Sequence, residues 1–318
     1  MVEEVVARAG IDLGGTKIEA IVLDDRDAVV ATARHPTPQT GGAEAIVAAM
    51  GDAVREAAAA VGGVAALKGV GVGSPGLVDQ EAGTVARAGN LSDWEEPFPV
   101  AQRLSGLLGV PVRLGNDVAV ALDAEIALGA GREHPSFLGV WWGTGVGGSL
   151  VLDGRRIPGG EFGHMVIRLR GALCGCGRHG CIEAYAGRGS MERRARLLQE
   201  RGVKTELFKI AKKRERTVLT SGVWEKALEE GDAVAARLIE RAICALAAGA
   251  ASVRNLVEID AVVLGGGLGT RFGTGAAERI AAAMQPHLFV PDRAPAVVPA
   301  ALGDQGGAIG AARLVTST

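Results

Sequence analysis

Three of the chain's four cysteines, Cys174, Cys176 and Cys181, fall within eight residues in the stretch GALCGCGRHGC. Paired among themselves they leave one thiol over, and Cys-x-Cys is not the Cys-x-x-Cys spacing of a redox pair. His164 lies ten residues before Cys174. Three thiolates and one imidazole match a tetrahedral Cys3His zinc site. Four protein ligands leave no open position, so such a zinc would be structural rather than a Lewis acid. One ring nitrogen of His164 can bind the metal while the other faces a substrate, the metal fixing tautomer and angle. The clamp would stiffen the loop that carries Glu161, His164 and Glu183. The fourth cysteine, Cys244 in ERAICALAAGA, is expected in core packing.

Other clusters suit a polyol and a phosphate. Glu161 and His164 stand three apart in GGEFGHM; a carboxylate there supplies paired acceptors for adjacent hydroxyls, or the stretch is a surface turn. In LGND, Asn116 and Asp117 end a strand and open a helix. Either residue makes a good N-cap. Alternatively Asp117 is a general base that takes a proton from a substrate hydroxyl, and Asn116 holds a neighbouring hydroxyl. The pair Gly-Lys is absent, which excludes a Walker A loop. GVGSPG, from Gly71 to Gly76, fits G-x-G-x-x-G, but Pro75 and the lack of a following βαβ unit argue against a dinucleotide site. In DLGGTK, the amides of Gly14, Gly15 and Thr16 can approach phosphate oxygens with no Cβ in the way, and Lys17 or the Thr16 hydroxyl adds a donor. Asp12 could hold Mg²⁺ through water. WGTGVGG, with Thr144, Gly145 and Gly147, offers a second cradle, and Trp141 stands where Asp12 does in the first. Each stretch also reads as a plain hairpin turn. LGGGLG, with Gly265, Gly266 and Gly267, is expected to be a glycine loop into which a buried strand runs.

These residues need elements to hold them. RAGIDLGG, TKIEAIVLDD and AVVATARH predict three strands, followed by a helix over about 44–60. KGVGVGSPG and VPVRLGND predict two more strands, and the spacing of Val118, Leu122, Glu125 and Leu128 predicts a helix ending at Gly129. Shifting the first hairpin by 129 residues superposes Gly10 on Gly139, Gly14 on Gly143 and Val22-Leu23-Asp24 on Val151-Leu152-Asp153. The chain is therefore expected to hold two related α/β halves whose glycine turns face a shared cleft. Residues 191–232 are charged and helical, and KIAKKRER within them reads as a solvated face. The tail GDQGGAIGAARLV predicts a helix with a small-residue face.

Bulk properties narrow the classes. A length of 318 residues suits two domains, and 48% hydrophobic residues can fill their cores. A net charge of −2 gives no reason to expect nucleic acid. The start MVEEVVARAG lacks the layout of an export signal, and no apolar run reaches membrane-span length. With so few cysteines, a disulfide scaffold is excluded and a reducing cytoplasm is the expected compartment.

Taken together, IDLGGTK, GVGSPGLVD, GND, GTGVGG, GGEFGH, CGCGRHGCIEAYAGRGS and LGGGLG resemble the ROK family, the repressor/open-reading-frame/kinase group of bacterial sugar kinases. They occur in the family's order from Ile11 to about Gly310, and the chain is most similar to its ATP-dependent glucokinases. The resemblance implies a two-domain actin-like ATPase (ribonuclease H-like) α/β fold with ATP in the cleft. Residues 1–115 plus about 304–318 would form the small domain, and 116–303 the large one. It implies Asp117 as catalytic base; Asn90, Asn116, Glu161, His164 and Glu183 as sugar ligands; and His164, Cys174, Cys176 and Cys181 as zinc ligands. Asp12 with Gly14–Lys17, and Thr144 to Gly147, match the phosphate loops, and Gly265–Gly267 the adenosine side. The implied reaction is phosphorylation of a hexose 6-hydroxyl, with glucose first and N-acetylhexosamine, fructose or allose as alternatives. Polyphosphate is an alternative donor, and a non-catalytic sugar-sensing regulator an alternative role. Some relatives carry an N-terminal helix-turn-helix domain; with the phosphate loop at Asp12, none is expected here. A homodimer or homotetramer is expected.

Overall fold

The computed structural model describes residues 7–88, 91 and 94–315. In the first part of the chain, β1 (Ala7–Leu13), β2 (Lys17–Leu23) and β3 (Val29–Pro36) form an antiparallel meander. Helix α1 (Gly42–Ala58) follows, then β4 (Leu67–Ser74), a small hairpin of β5 (Leu77–Asp79) and β6 (Thr84–Ala86), α2 (Val100–Leu108), β7 (Val112–Asn116) and α3 (Asp117–Leu128). The sheet order is β3-β2-β1-β4-β7, with β4 parallel to β1 and β7 parallel to β4. Every residue of β1 is buried except Asp12, which is half-buried at the strand's carboxyl end. Ile46, Met50 and Val54 of α1 join Ile11, Leu13 and Ile18 in one apolar core.

The next part repeats the plan. It holds β8 (Phe137–Trp142), β9 (Val146–Leu152) and the short β10 (Arg155–Arg156). Then come α4 (Glu183–Ala186), α5 (Arg188–Glu200), α6 (Leu207–Lys213), α7 (Ser221–Glu229), α8 (Ala233–Leu256), β11 (Ala261–Gly265), α9 (Gly266–Met284) and β12 (Ala296–Pro299). Its sheet order is β10-β9-β8-β11-β12, with β8 and β9 antiparallel and β11 parallel to both β8 and β12. The two sheets thus share strand order and direction, as in the actin-like ATPase fold, and the 129-residue offset read from the sequence carries Lys17–Leu23 onto Val146–Leu152. The tips differ: Leu13 faces Ile18 across the first hairpin, whereas Trp142 faces Val146 across the second, whose turn is one residue shorter.

The chain forms two compact units. One runs up to Leu128 and resumes at Gln305; the other is Gly129–Asp304. Helix α10 (Gly306–Arg313) stays with the first unit because its small-residue face admits close backbone approach. A Cβ on Gly310 would lie 1.8 Å from the Val120 carbonyl oxygen of α3, and one on Gly71 would lie 1.7 Å from that of Ala311. Asp27, in the β2–β3 turn, ion-pairs with Arg8 and with Arg313 of α10.

Two expectations need correction. Cys244 is exposed on α8, its Sγ beside Glu240, rather than in the core. Gly266 and Gly267 form no loop: α9 starts directly at Gly266 as β11 ends. The basic run 209–216 is solvated as expected, with Lys212, Lys213, Arg214 and Arg216 exposed. Among the described residues, no helix is long and apolar enough to cross a membrane.

Candidate active site

In the first unit, strand pairing gathers the candidate acid–base residues at one edge. Asp12 pairs with Gly73 of β4, and Gly73 with Gly115 of β7, so Asn116 and Asp117 lie just beyond the same row. The carboxyl ends of parallel strands are where open α/β sheets bind ligands, because strand-to-helix connections open there. Asn116 does cap α3: its Oδ1 accepts from the amides of Val118 (3.1 Å) and Ala119 (3.2 Å). Asp117 accepts from the Val118 amide at 2.9 Å. Burial pushes the Asp117 carboxyl above its ordinary 3.8, and the backbone bonds only partly offset this. A carboxylate that resists ionisation is a better proton acceptor once ionised. Asp12 lies against α10, where a Cβ on Gly307 would sit 2.9 Å from its Cγ.

The first hairpin turn is closed by the Gly14 amide donating to the Lys17 carbonyl (2.9 Å). Thr37 Oγ1 donates to the Gly14 carbonyl (2.6 Å), and Gln39 Nε2 to that of Gly15 (3.2 Å). The carbonyls are thereby held, while the Gly15 and Thr16 amides donate to no partner among the described residues. Lys17 Nζ pairs with Glu19 at 2.9 Å, and Glu19, fully buried, also accepts from Arg34 Nε (2.8 Å) and Nη2 (2.6 Å). Asn90 lies outside the described residues.

In the second unit, the loop after β9 folds around sulfur. Ligand atoms of His164, Cys174, Cys176 and Cys181 all lie within 4.8 Å of one another. Cys176 Sγ is 3.8 Å from Cys181 Sγ, and Cys174 Sγ is 3.8 Å from His164 Nδ1. Zn–S bonds of about 2.3 Å at tetrahedral angles require sulfurs about 3.8 Å apart, so this donor set fits zinc. The Nδ1 edge of His164 faces the sulfurs, which leaves Nε2. Burial pushes the Cys174 thiol up to about 12 and raises that of Cys181, whereas hydrogen bonding to Arg178 lowers Cys176 to about 6. Only a cation would bring all three to thiolate together. The knuckle closes through the Cys174 amide on the Arg178 carbonyl (2.8 Å) and through Gly180. Gly180 has φ +86°, and a Cβ on it would meet the Arg168 carbonyl oxygen at 1.8 Å, so no other residue fits there.

Glu161 and His164 flank a single 3-10 turn anchored by buried Phe162; Glu161 is exposed and His164 half-buried. Glu183 opens α4, its Oε2 accepting from the Val146 amide (2.9 Å) and its Oε1 lying 3.7 Å from Cys174 Sγ. It therefore ties the zinc loop to the base of the second hairpin. Gly145 permits this, since a Cβ there would meet Glu183 Oε2 at 2.3 Å. Glu161, His164, Glu183 and the Thr144–Gly147 turn are thus assembled in one unit, and Asp12, Gly14–Lys17, Asn116 and Asp117 in the other.

Sequence reasoning missed two residues. Glu19 had a signal, a carboxylate at an inward position of an apolar strand. Arg188, whose Nη2 donates to Thr144 Oγ1 at 2.7 Å, had only its setting between two glycines in AGRGS.

The ROK family model matches residues 8–318. Among curated relatives, a glucokinase of Streptomyces coelicolor is 36% identical over 59% of this chain, and the match covers 58% of that protein. A Thermotoga maritima glucokinase is 30% identical, with 81% of each chain covered. An N-acetyl-D-glucosamine kinase of Salmonella paratyphi B is 34% identical over 96% of this chain and 98% of its own length. Among solved structures, a ROK family glucokinase from Streptomyces griseus in complex with glucose and AMPPNP superposes with a TM-score of 0.79 at 30% identity, covering 97% of this chain and 98% of that one.

Proposed function

The chain belongs to the ROK family, and we propose that it is an ATP-dependent hexose kinase that phosphorylates the 6-hydroxyl of glucose. The observation that carries this reading is the Asn116–Asp117 pair at the head of α3, with a carboxylate whose burial raises its proton affinity. Asp117 accepts the proton of the 6-hydroxyl as the sugar oxygen bonds to the terminal phosphorus and the bond to the ADP oxygen breaks. Asn116, its Oδ1 committed to the helix, offers its amide N–H to a neighbouring hydroxyl. Asn90, Glu161, His164 and Glu183 hold the remaining hydroxyls. Asp12 holds Mg²⁺ through water, and the amides of Gly14–Lys17 and of Thr144–Gly147 offset phosphate charge. Gly265–Gly267 lie on the adenosine side. Zinc on His164, Cys174, Cys176 and Cys181, when bound, stiffens the sugar loop; the proton is handled by Asp117 alone.

A second substrate, N-acetyl-D-glucosamine, is favoured by the Salmonella relative, whose similarity runs over nearly the whole chain. Coupled detection of ADP with glucose, N-acetylglucosamine, fructose and allose, each against ATP and polyphosphate, tests the reading. Glucose with ATP is expected to give the highest kcat/KM. Preference for N-acetylglucosamine would move the assignment to the second substrate. Sugar binding with no phosphate transfer from either donor would make the protein a sensor and overturn the proposal.

A further inference from the structure

The second unit contains a cation with no carboxylate partner. Arg188 begins α5, and its backbone is stitched to the second hairpin turn: its amide donates to the Gly143 carbonyl (3.0 Å) and that of Gly189 to the Thr144 carbonyl (3.0 Å). The guanidinium is half-buried and, among the described residues, hydrogen-bonds only to hydroxyls, Thr144 Oγ1 at 2.7 Å and Ser221 Oγ at 3.5 Å. The carboxylate that bears on it most, Glu192, is occupied by Arg196 (2.6 Å) and by the Leu219 amide (2.8 Å). Burial depresses the pKa of Arg188, so its charge is held there at a cost. An arginine stays protonated nonetheless, and a poorly solvated cation without a counter-ion calls for an anion.

The surroundings say which anion. A Cβ on Gly267 would lie 3.3 Å from Ser221 Oγ, and one on Gly143 would lie 3.8 Å from the Gly267 amide nitrogen. The Gly143–Gly145 turn, the first turn of α9 and the two hydroxyls that hold Arg188 therefore meet at one place. The carboxylate nearest this turn, Glu183, is committed to the Val146 amide (2.9 Å); the hydroxyls and the planar guanidinium beside the glycine turn form a phosphate-binding set, and the guanidinium can engage two oxygens at once.

We infer that Arg188 holds the diphosphate of the nucleotide donor, the part shared by ATP and ADP, against the second glycine turn. The inference rests on the kinase reading above. Titration calorimetry of Mg-ADP and of adenosine into the full-length wild type and the Arg188→Met, Arg188→Ala and Arg188→Lys variants separates the two. Arg188→Met keeps the apolar stem and loses the charge; it should weaken ADP about tenfold or more, as expected for a charge-assisted bond, and leave adenosine within about twofold. Arg188→Lys should recover part of the loss, and KM for ATP should rise more than kcat falls. Because adenosine carries no phosphate, a purely structural role would change both ligands together, and that result would overturn the inference. Unchanged ADP binding in Arg188→Met would overturn it too while leaving the kinase reading intact. A wild type that binds neither nucleotide nor adenosine would sink both. Should Arg188→Ala fail to fold, the Met and Lys variants carry the test.

Discussion

The two glycine hairpins are built alike and equipped differently. Both join the first two strands of a five-stranded sheet of the same order, and both close a turn with a glycine amide, Gly14 onto the Lys17 carbonyl and Gly143 onto that of Gly145. At matching places the first has Asp12 and the second Trp141. The first is braced by buried Glu19, which holds the more exposed Lys17 and Arg34. The second is braced by Glu183, which reaches the Val146 amide from the sulfur-rich loop, and by Arg188 on Thr144. The row ends also diverge: β7 runs into Asp117, whereas β11 runs into a glycine start of α9. One scaffold used twice thus gives one unit with Asp12 and Asp117 at its strand ends and another with Trp141, the Arg188 guanidinium and a Cys3His group whose spacing fits zinc. A shared fold fixes where groups can be placed, and the residues at strand ends decide what they do.

The sharpest break of this comparison is Asp117→Ala. If proton transfer belongs to the first unit, turnover falls about a hundredfold or more, while calorimetry still detects sugar. Near wild-type kcat would remove the first unit's chemical role. Next in size is Cys181→Ser or exhaustive chelation. Elemental analysis should find one zinc per chain in the wild type, and its loss should lower Tm by about 6 °C, for roughly 3 kcal/mol in a chain this size. Hydrogen exchange should rise in β8 and β9 and hold steady in β1 and β4; a uniform rise would mean that the units are not separately braced. Smaller again is Gly310→Ala, which forces a Cβ onto the Val120 carbonyl. Overpacking of about 1–3 kcal/mol should lower Tm by about 2–6 °C with zinc content unchanged. Gly106→Ala, in α2 with open space around it, should instead raise Tm slightly.

What could be read from the chain beforehand was local or periodic. The four residues of the candidate metal group lie within one loop, so their spacing could suggest them. The repeat was visible because each hairpin needs glycine at the same step of its turn, and the tail's Gly and Ala pattern announced the close packing of Gly310 on α3. Long-range partners left no such trace. Arg188 meets Thr144 and Ser221 at separations of 44 and 33 residues, and no spacing rule links them. The position of Cys244 was misjudged because α8 is apolar over much of its 24 residues, and sequence does not show which stripe faces out. The glycines at 265–267 were read as a loop because glycine weakens helices, yet α9 begins there, where glycine at φ +79° makes the sharp entry from β11. For Asn116 the capping reading of LGND holds, and because capping uses only its oxygen the amide N–H stays open to the other reading.

The finest test turns the Asp117 carboxyl against itself. Burial raises its folded pKa above 3.8, with bonds from the Val118 amide and Asn116 opposing. A raised carboxyl pKa contributes to stability below the unfolded value, and that contribution is lost as pH rises through the folded value. At neutral pH the charged form is therefore a net cost to the fold. Asp117→Asn removes the charge and keeps an oxygen for the Val118 amide, so it should raise Tm by about 1–3 °C at pH 7 while abolishing most turnover. The gain should shrink as pH falls and vanish below 3.8, where the wild-type carboxyl is neutral in both states. In the wild type the same shift should place the acid limb of kcat/KM above 3.8, since the base works only when ionised. A limb at or below that value, or an Asn variant less stable than the wild type at pH 7, would mean that the helix start favours the anion more than burial disfavours it. The strand-end carboxylate would then be an ordinary cap, and the contrast between the two hairpins would lose its chemical half.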